Sequence, residues 1–384
     1  GPRRAGKSYI MRQVISRLMS TGASPRQTLM INFEDPRWPA LDSNVLELIF
    51  NTYCDAHKPQ GKPYLLLDEV QEVENWEKWV RKMHELDKAT IIVSGSNAHL
   101  LNGELATVLT GRHLKLEVFP LSFQEQLLFL ESATSSDHQG ALAIQDVLEF
   151  GSFPAVVQSL QKNEILLNYF NDILFKDIIK RHNIRKQEDI KRLAQFYLGQ
   201  TASLITHNST KKFLNLTTST IEKFSGYFED AYLAFFLKRF SFKTREQEKS
   251  PRKLYIVDTG LAHVVGFNQM SAWGRLAENY VFLELIKGRL LKPEQEIYYW
   301  KDPQQNYEVD FLIREGLRVT RAIQVCWQLD NPKTWERETR ALKKAMNVFE
   351  LKEAEIVTAN EERVERFDGK TIRVIPLEKW CGGG

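Results

Sequence analysis

Cysteine is scarce in this sequence. Cys54, Cys326 and Cys381 are the only three in 384 residues, and their wide separation suggests neither a disulfide framework nor a zinc motif. A reducing compartment fits that usage, so a cytoplasmic protein is expected. Long apolar runs are lacking too. No stretch reaches the ~18 residues that would span a bilayer, and no secretory signal is evident, so no membrane partner is expected. Nor does charge of one sign dominate. The 52 Lys and Arg against 49 Asp and Glu leave +3, too mild an excess to argue nucleic acid by itself. What is left is an ordinary globular composition, 43% hydrophobic and 26% charged, with length for two or three domains.

Against that background the opening stretch stands out. Gly1-Pro2-Arg3-Arg4-Ala5-Gly6-Lys7-Ser8 fits G-x-x-x-x-G-K-[ST]. Glycine at each end lets a loop curl so that its backbone N–H groups point inward at phosphates. Lys7 supplies a charge for the β- and γ-phosphates, and Ser8 a hydroxyl for Mg²⁺. A helix expected from about Lys7 to Met19, with Tyr9 in its first turn, adds its positive end to the same anion. ATP with Mg²⁺ is the expected ligand of Gly1–Tyr9; the bland alternative is a Gly-rich turn. Such a loop ordinarily follows a buried strand. No residue precedes Gly1, so the expectation is a sequence that starts late and lacks the central strand.

Thr28–Phe33 reads as a strand and 41–57 as a helix. Tyr64-Leu65-Leu66-Leu67-Asp68-Glu69 is an apolar run without alternation, as in a strand buried on both faces, and ends in two acids. The C-terminal edge of an open parallel sheet is where ligands bind. Asp68 is therefore expected to hold Mg²⁺, and Glu69 to polarise the attacking water. Gln71–Leu86 reads as an amphipathic helix with Trp76, Trp79, Val80 and Met83 in the core. Thr90–Ser94 reads as another buried strand, followed by Gly95, Ser96 and Asn97. Ser94, Ser96 or Asn97 could sense the γ-phosphate, with Ser96 singled out; simple turn chemistry is the alternative. Gly111-Arg112 precedes Leu114–Phe119, read as a strand, and an arginine there can act as an arginine finger or remain a surface cation.

The P-loop, Leu65–Glu69, Ser94-Gly95-Ser96, Gly111-Arg112 and Pro120-Leu-Ser-Phe-Gln-Glu125 occur in this order. Together they resemble the AAA-superfamily ATPases of bacteria and archaea, in the branch near the STAND regulators. Gly151-Ser-Phe-Pro154 is similar to that branch's Gly-x-x-Pro element. The resemblance implies an α/β AAA-type parallel sheet over 1–125, a helical lid and connector over 126–188, ATP-dependent conformational change, and Arg112 as finger or sensor. A finger acting in trans would require a homo-oligomer.

Residues 190–206, 209–214 and 218–233 read as helices, with Thr217 as an N-cap of the last. Phe235–Phe242 and Lys253–Val257 read as a hairpin around a charged loop. Three helices and a hairpin make a winged helix-turn-helix over 189–265. Lys211, Lys212, Lys223, Lys243, Arg245, Lys249, Arg252 and Lys253 are scattered over it among acids. Double-stranded DNA, a protein partner and a merely solvated surface all stay open. The run Ser250–Leu261 is similar to the end of that segment in the resembling family.

From 266 to 384 the expected order is α-β-β-β-α-β, with Glu278 on the first helix and Asp310 on the second strand. This resembles the restriction-endonuclease-like fold of PD-(D/E)XK nucleases, whose acids hold Mg²⁺ and whose Lys orients water. The resemblance calls for Glu-x-Lys on the third strand, where this sequence has Gln324-Val325-Cys326. DNA cleavage is therefore not expected, although Glu278 and Asp310 retain oxygen ligands and Lys343 or Lys344 could replace the lost lysine. The function expected from the whole chain is an ATP-hydrolysing switch whose C-terminal domains bind DNA or protein. An ATP-binding scaffold without turnover, or an ATP-dependent nuclease, are the alternatives. Cys381–Gly384 reads as a frayed tail.

Overall fold

The computed structural model describes residues 1–38, 41–97, 113–133, 143–266, 273–302, 304–305 and 307–383. They form two compact units, Gly1–Val118 and Phe119–Gly384. Among the described residues no helix is long and apolar enough to cross a membrane.

The first unit begins with the loop and helix α1 (Lys7–Ser20). Strands β1 (Thr28–Asn32), β2 (Tyr64–Asp68) and β3 (Thr90–Val93) follow, with α2 (Ser43–His57) and α3 (Trp76–Glu85) between them. The strands form a parallel sheet in the order β1-β2-β3, with Leu29 opposite Leu65 and Asn32 opposite Asp68. Central β2 is apolar because both its faces are covered: Leu65, Leu66 and Leu67 are buried. Asp42 caps α2 by accepting the N–H groups of Asn44 and Val45, satisfying donors a helix start leaves orphaned.

Two expectations change here. The helix expected from Gln71 starts only at Trp76. Glu69 (φ 51°) and Asn75 (φ 56°) are both left-handed, which limits the segment between them to the single turn Val70–Glu72. Trp76, Trp79, Val80 and Met83 are nonetheless buried in the core. Among the described residues the stretch 114–119 forms no sheet ladder, and Leu114 and Leu116 are exposed.

The second unit opens with helices α4 (Phe123–Ala133), α5 (Ile144–Phe150), α6 (Pro154–Val157) and α7 (Lys162–Asp172). Ser122 and Glu125 bond each other's backbone N–H ahead of α4, a reciprocal cap. Next come α8 (Gln187–Gly199), β4 (Ser203–Ile205), α9 (His207–Leu214), α10 (Thr218–Asp230), β5 (Ala234–Leu237), α11 (Thr244–Lys249) and β6 (Arg252–Ile256). The helix expected over 190–206 thus ends early and its last residues become a strand. Beta-branched Ile205 pairs with Arg252, and cross-strand packing outweighs helix period in that short stretch. The strands form an antiparallel sheet ordered β4-β6-β5. Thr217 does cap α10, accepting the N–H of Thr220.

After α12 (Thr259–Val265) and α13 (Trp273–Arg289), strands β7 (Gln295–Lys301), β8 (Glu308–Glu315) and β9 (Arg318–Val325) form a meander. They lead through α14 (Pro332–Val348) to β10 (Glu353–Thr358), β11 (Arg363–Phe367), β12 (Lys370–Pro376) and α15 (Leu377–Cys381). The sheet order is β11-β12-β10-β9-β8-β7, with β10 parallel to β9 and β12. Cys381 ends α15, so the expected fraying does not extend to it. The two sheets of this unit are joined: past β5, Phe240 N–H bonds Tyr299 O at 2.7 Å and Tyr299 N–H bonds Lys238 O at 3.1 Å.

Candidate functional site

The opening loop lies beside the C-terminal end of β2. Gly6, at φ 102°, is the N-cap of α1, a conformation that costs glycine little. A Cβ on Gly1 would fall 1.8 Å from Val118 O, so the loop passes where no side chain fits. Pro2, Arg3, Ala5 and Lys7 are buried while Arg4 and Tyr9 are exposed and Ser8 is half-buried. Arg3 donates to Glu34 Oε1 at 2.6 Å. Lys7 Nζ donates to Pro2 O at 2.8 Å and Gly1 O at 3.1 Å and stands 3.8 Å from Glu69 Oε1.

Asp68 and Glu69 are both buried. Ser94, just past β3, donates its hydroxyl to Asp68 Oδ1, and its own Oγ accepts Glu69 N–H at 3.3 Å. Of the three polar residues left open after β3, Ser94 bonds Asp68 and Ser96 is fully buried. Gln71 Nε2 donates to Glu69 Oε2 at 2.5 Å, and Gln71 Oε1 is buried with no hydrogen-bond partner. A cation, two carboxylates and a hydroxyl therefore meet at one sheet edge, in a setting that strengthens charge interactions. Arg112 and Gly111 lie outside the described residues.

The second unit brings Glu278 and Asp310 together as expected, but around a side chain the sequence reading placed on the surface. Lys253, on β6, is 3% exposed. Its ammonium donates to Asp310 Oδ1 at 2.7 Å, Glu278 Oε1 at 2.8 Å and Glu308 Oε1 at 2.9 Å. Burial opposes its charge, yet Asp310 and Glu278 outweigh burial and hold its pKa well above the ordinary lysine value. Burial, then the Asp310 charge, push the Glu278 carboxyl up to about 8 against the pull of Lys253. The physical reason is that one ammonium cannot balance several buried carboxylates, so a proton is retained among them. Tyr255 also donates to Glu278 Oε1, at 2.7 Å.

The other members of this centre are structural. Gln324 Oε1 accepts Asp310 N–H at 3.2 Å and Gln324 Nε2 donates to Glu338 Oε2 at 2.7 Å. Cys326 donates to Gln328 O at 3.2 Å, and burial pushes its thiol up to about 12, which removes it as a thiolate ligand or nucleophile. Lys343 bonds Glu365 at 2.7 Å and Lys344 lies 3.8 Å from Asp302, so neither replaces the missing lysine. Among the described residues no group of His, Cys, Asp and Glu is arranged to hold a metal.

Residues 1–127 match the AAA domain family. Residues 142–271 and 273–380 match two domains of unknown function, DUF8612 and DUF4143. An uncharacterized protein of Methanocaldococcus jannaschii, MJ1544, is 34% identical over 99% of this chain and 86% of its own length. The chain belongs to the MJ1544 family. An uncharacterized protein of Haemophilus influenzae is 32% identical over 75% of this chain and 73% of its own. Among solved structures, a chain of the Thermococcus gammatolerans assembly of McrB AAA+ hexamers with bound McrC covers 81% of this chain and 74% of its own at 13% identity. Its TM-score of 0.21 is too low to carry an argument.

For this member of the MJ1544 family, the sequence reading missed Gln71, Glu308 and Lys253. Gln71 follows the acidic pair by two residues and Glu308 precedes Asp310 by two, so period-2 alternation places Glu308 and Asp310 on one face of β8. Lys253 carried a signal as well: it sits in the strand run Lys253-Leu-Tyr-Ile-Val257, where a charge on a buried face needs a partner.

Proposed function

We propose that this chain is an ATP-hydrolysing switch of the AAA type. The observation that carries the reading is the meeting of Lys7, Asp68 and Glu69, with Lys7 Nζ 3.8 Å from Glu69 Oε1 at the C-terminal edge of the parallel sheet. The donor set fits the nucleotide: backbone N–H groups of Gly1–Ser8 and the Lys7 ammonium for phosphate oxygens, the Ser8 hydroxyl and Asp68 carboxylate for Mg²⁺. Bound Mg²⁺ would draw charge off the phosphoryl oxygens. Glu69 accepts the proton of the attacking water at its carboxylate, and Ser94 fixes Asp68 beside it. Tyr9 and Ser96 complete the contacts in this reading, and Arg112 supplies the positive charge that the transferring phosphoryl group needs.

The test is turnover by the full-length protein. Glu69→Gln is expected to lower kcat about 100-fold or more while ATP affinity is kept. Arg112→Ala should also reduce turnover without weakening ATP binding. If the unmodified protein binds ATP and hydrolyses none under any condition, including added DNA, it is instead a nucleotide-ordered scaffold.

We read 189–265 as a winged helix and 266–384 as a nuclease-shaped domain without nuclease chemistry. The order α8-β4-α9-α10-β5-β6 supports the first, and α13-β7-β8-β9-α14-β10 with β9 parallel to β10 supports the second. The β5–β6 hairpin is sewn to β7 through Phe240 and Tyr299, which favours a protein partner over insertion of that hairpin into DNA. An electrophoretic shift with double-stranded DNA, with or without ATP, would count against this choice.

A further inference from the structure

Carboxylates converging on one point normally imply a cation there, because a buried carboxylate alone costs several kcal/mol; of the three here Glu278 and Asp310 are buried and Glu308 is half-buried. Here that point is the Lys253 ammonium, between Glu278 of α13 and Glu308 and Asp310 of β8. Lys253 belongs to neither of those elements: it comes from β6, in the sheet of the preceding helical module. The surrounding bonds hold the same geometry. Tyr255, two residues on, bonds the same Glu278 oxygen. Asn279 locks the end of the same strand by accepting Ile256 N–H and donating to Ile256 O. Asp310 Oδ2 accepts Val325 N–H at 2.9 Å.

We propose that Lys253 is the resident cation of this centre: its ammonium draws Glu278, Glu308 and Asp310 onto itself in an arrangement that is no metal site, and only its removal would free them for a divalent ion, so the centre is closed to metal by the protein itself. A single charge in place of a double one also suits the neutral Gln324, which contributes no fourth carboxylate. The hairpin that carries Lys253 is thereby fastened into the C-terminal layer by the groups that metal chemistry would need. The inference uses the nuclease-shaped reading only in choosing the ion. It does not depend on ATP hydrolysis, so turnover and metal uptake can fail separately.

The experiment is Mn²⁺ titration of the full chain without nucleotide, read by electron paramagnetic resonance. Lys253→Ala removes the ammonium from the point at which Glu278, Glu308 and Asp310 meet. It is expected to bind Mn²⁺ about tenfold or more tightly than the unmodified protein, and K253A combined with Glu278→Gln is expected to lose that gain. Should K253A unfold in metal-free buffer, Mn²⁺ is expected to restore its near-ultraviolet circular dichroism. Three results overturn the proposal: unmodified protein whose Mn²⁺ uptake is abolished by Asp310→Asn, which would make Lys253 a partner of a bound metal; folded K253A with no gain; or K253A that stays unfolded with Mn²⁺ present.

Discussion

Asp258 accepts the backbone N–H of Ser152 at 2.6 Å, across 106 residues of chain. The same carboxylate accepts Leu261 N–H at 3.2 Å and so caps α12. Thr259 adds a bond from its hydroxyl to Val147 O at 2.9 Å. Two stretches that were conspicuous in the sequence, Gly151–Pro154 and Asp258–Gly260, are thus the two halves of one lock. It holds the helices that follow the AAA domain to the start of the C-terminal layer.

The lock leaves no room on Gly151. Its φ is 76°, and a Cβ there would lie 2.0 Å from Asp258 Oδ1. Asp258 is fully buried and held by two N–H groups, so it cannot step aside. Gly151→Ala is expected to destabilise the second unit by about 2–3 kcal/mol, combining left-handed strain with the collision. Urea unfolding measures this, and a loss within experimental error would mean that the contact relaxes freely.

Burial pushes the Asp258 carboxyl up to about 6. A raised carboxyl favours the folded state where it is protonated. Its stabilising contribution is therefore complete below the unfolded value near 4 and is lost as pH rises towards 6. Two pKa units correspond to about 3 kcal/mol at most. The unfolding free energy of the unmodified protein minus that of Asp258→Asn should decline between pH 4 and 6 and then level off. Taking the difference cancels Glu278, which titrates higher. A flat difference across that range would show that Asp258 is ionised throughout.

The readable parts of the sequence were those in which local chemistry and tertiary role coincide. The helix opening at Lys7, the buried strand Tyr64–Asp68 and the capping Thr217 announce themselves through residue type and spacing, and each is found where expected. The strand β4 was not readable because three residues carry no usable period and their pairing with β6 decides them. The Lys253 centre was hidden for a different reason. Its members are separated by dozens of residues, and a lysine in a list of basic residues looks solvated until a strand pairing turns it inward. Glu278 and Asp310 were found by analogy of element order, but what they bind came from another element altogether.

In the proposed reaction Gln71 would act through Glu69 alone. It donates to Glu69 Oε2 at 2.5 Å while its own carbonyl oxygen lies buried without a hydrogen-bond partner. A buried acceptor left unpaired costs about 1–3 kcal/mol, a cost borne here while the amide N–H stays on Glu69. On the proposed mechanism this makes Gln71 a positioning residue for Glu69. Gln71→Leu is expected to lower kcat roughly 10-fold with ATP affinity unchanged, since it releases the carboxylate and not the phosphates. A rise in KM with kcat intact would assign Gln71 to nucleotide binding instead.

Asn279 gives the sharpest structural test of the join between α13 and the three-stranded sheet. It is fully buried. Its Oδ1 accepts Ile256 N–H at 2.7 Å and the Thr201 hydroxyl, and its Nδ2 donates to Ile256 O at 2.9 Å. The amide therefore does for β6 what a neighbouring strand would do, supplying one acceptor and one donor. Asn279→Leu keeps nearly the same volume but leaves a buried N–H, a carbonyl and a hydroxyl without these partners. Each orphan costs about 1–3 kcal/mol, so a loss of roughly 3–5 kcal/mol is expected, larger than that of Gly151→Ala. Asn279→Asp offers a control: it retains the acceptor for Ile256 N–H and for Thr201 but brings a carboxylate next to Glu278, so its penalty should grow with pH. If Leu is tolerated to within about 1 kcal/mol, water must reach these groups, and the join is looser than its hydrogen bonds indicate.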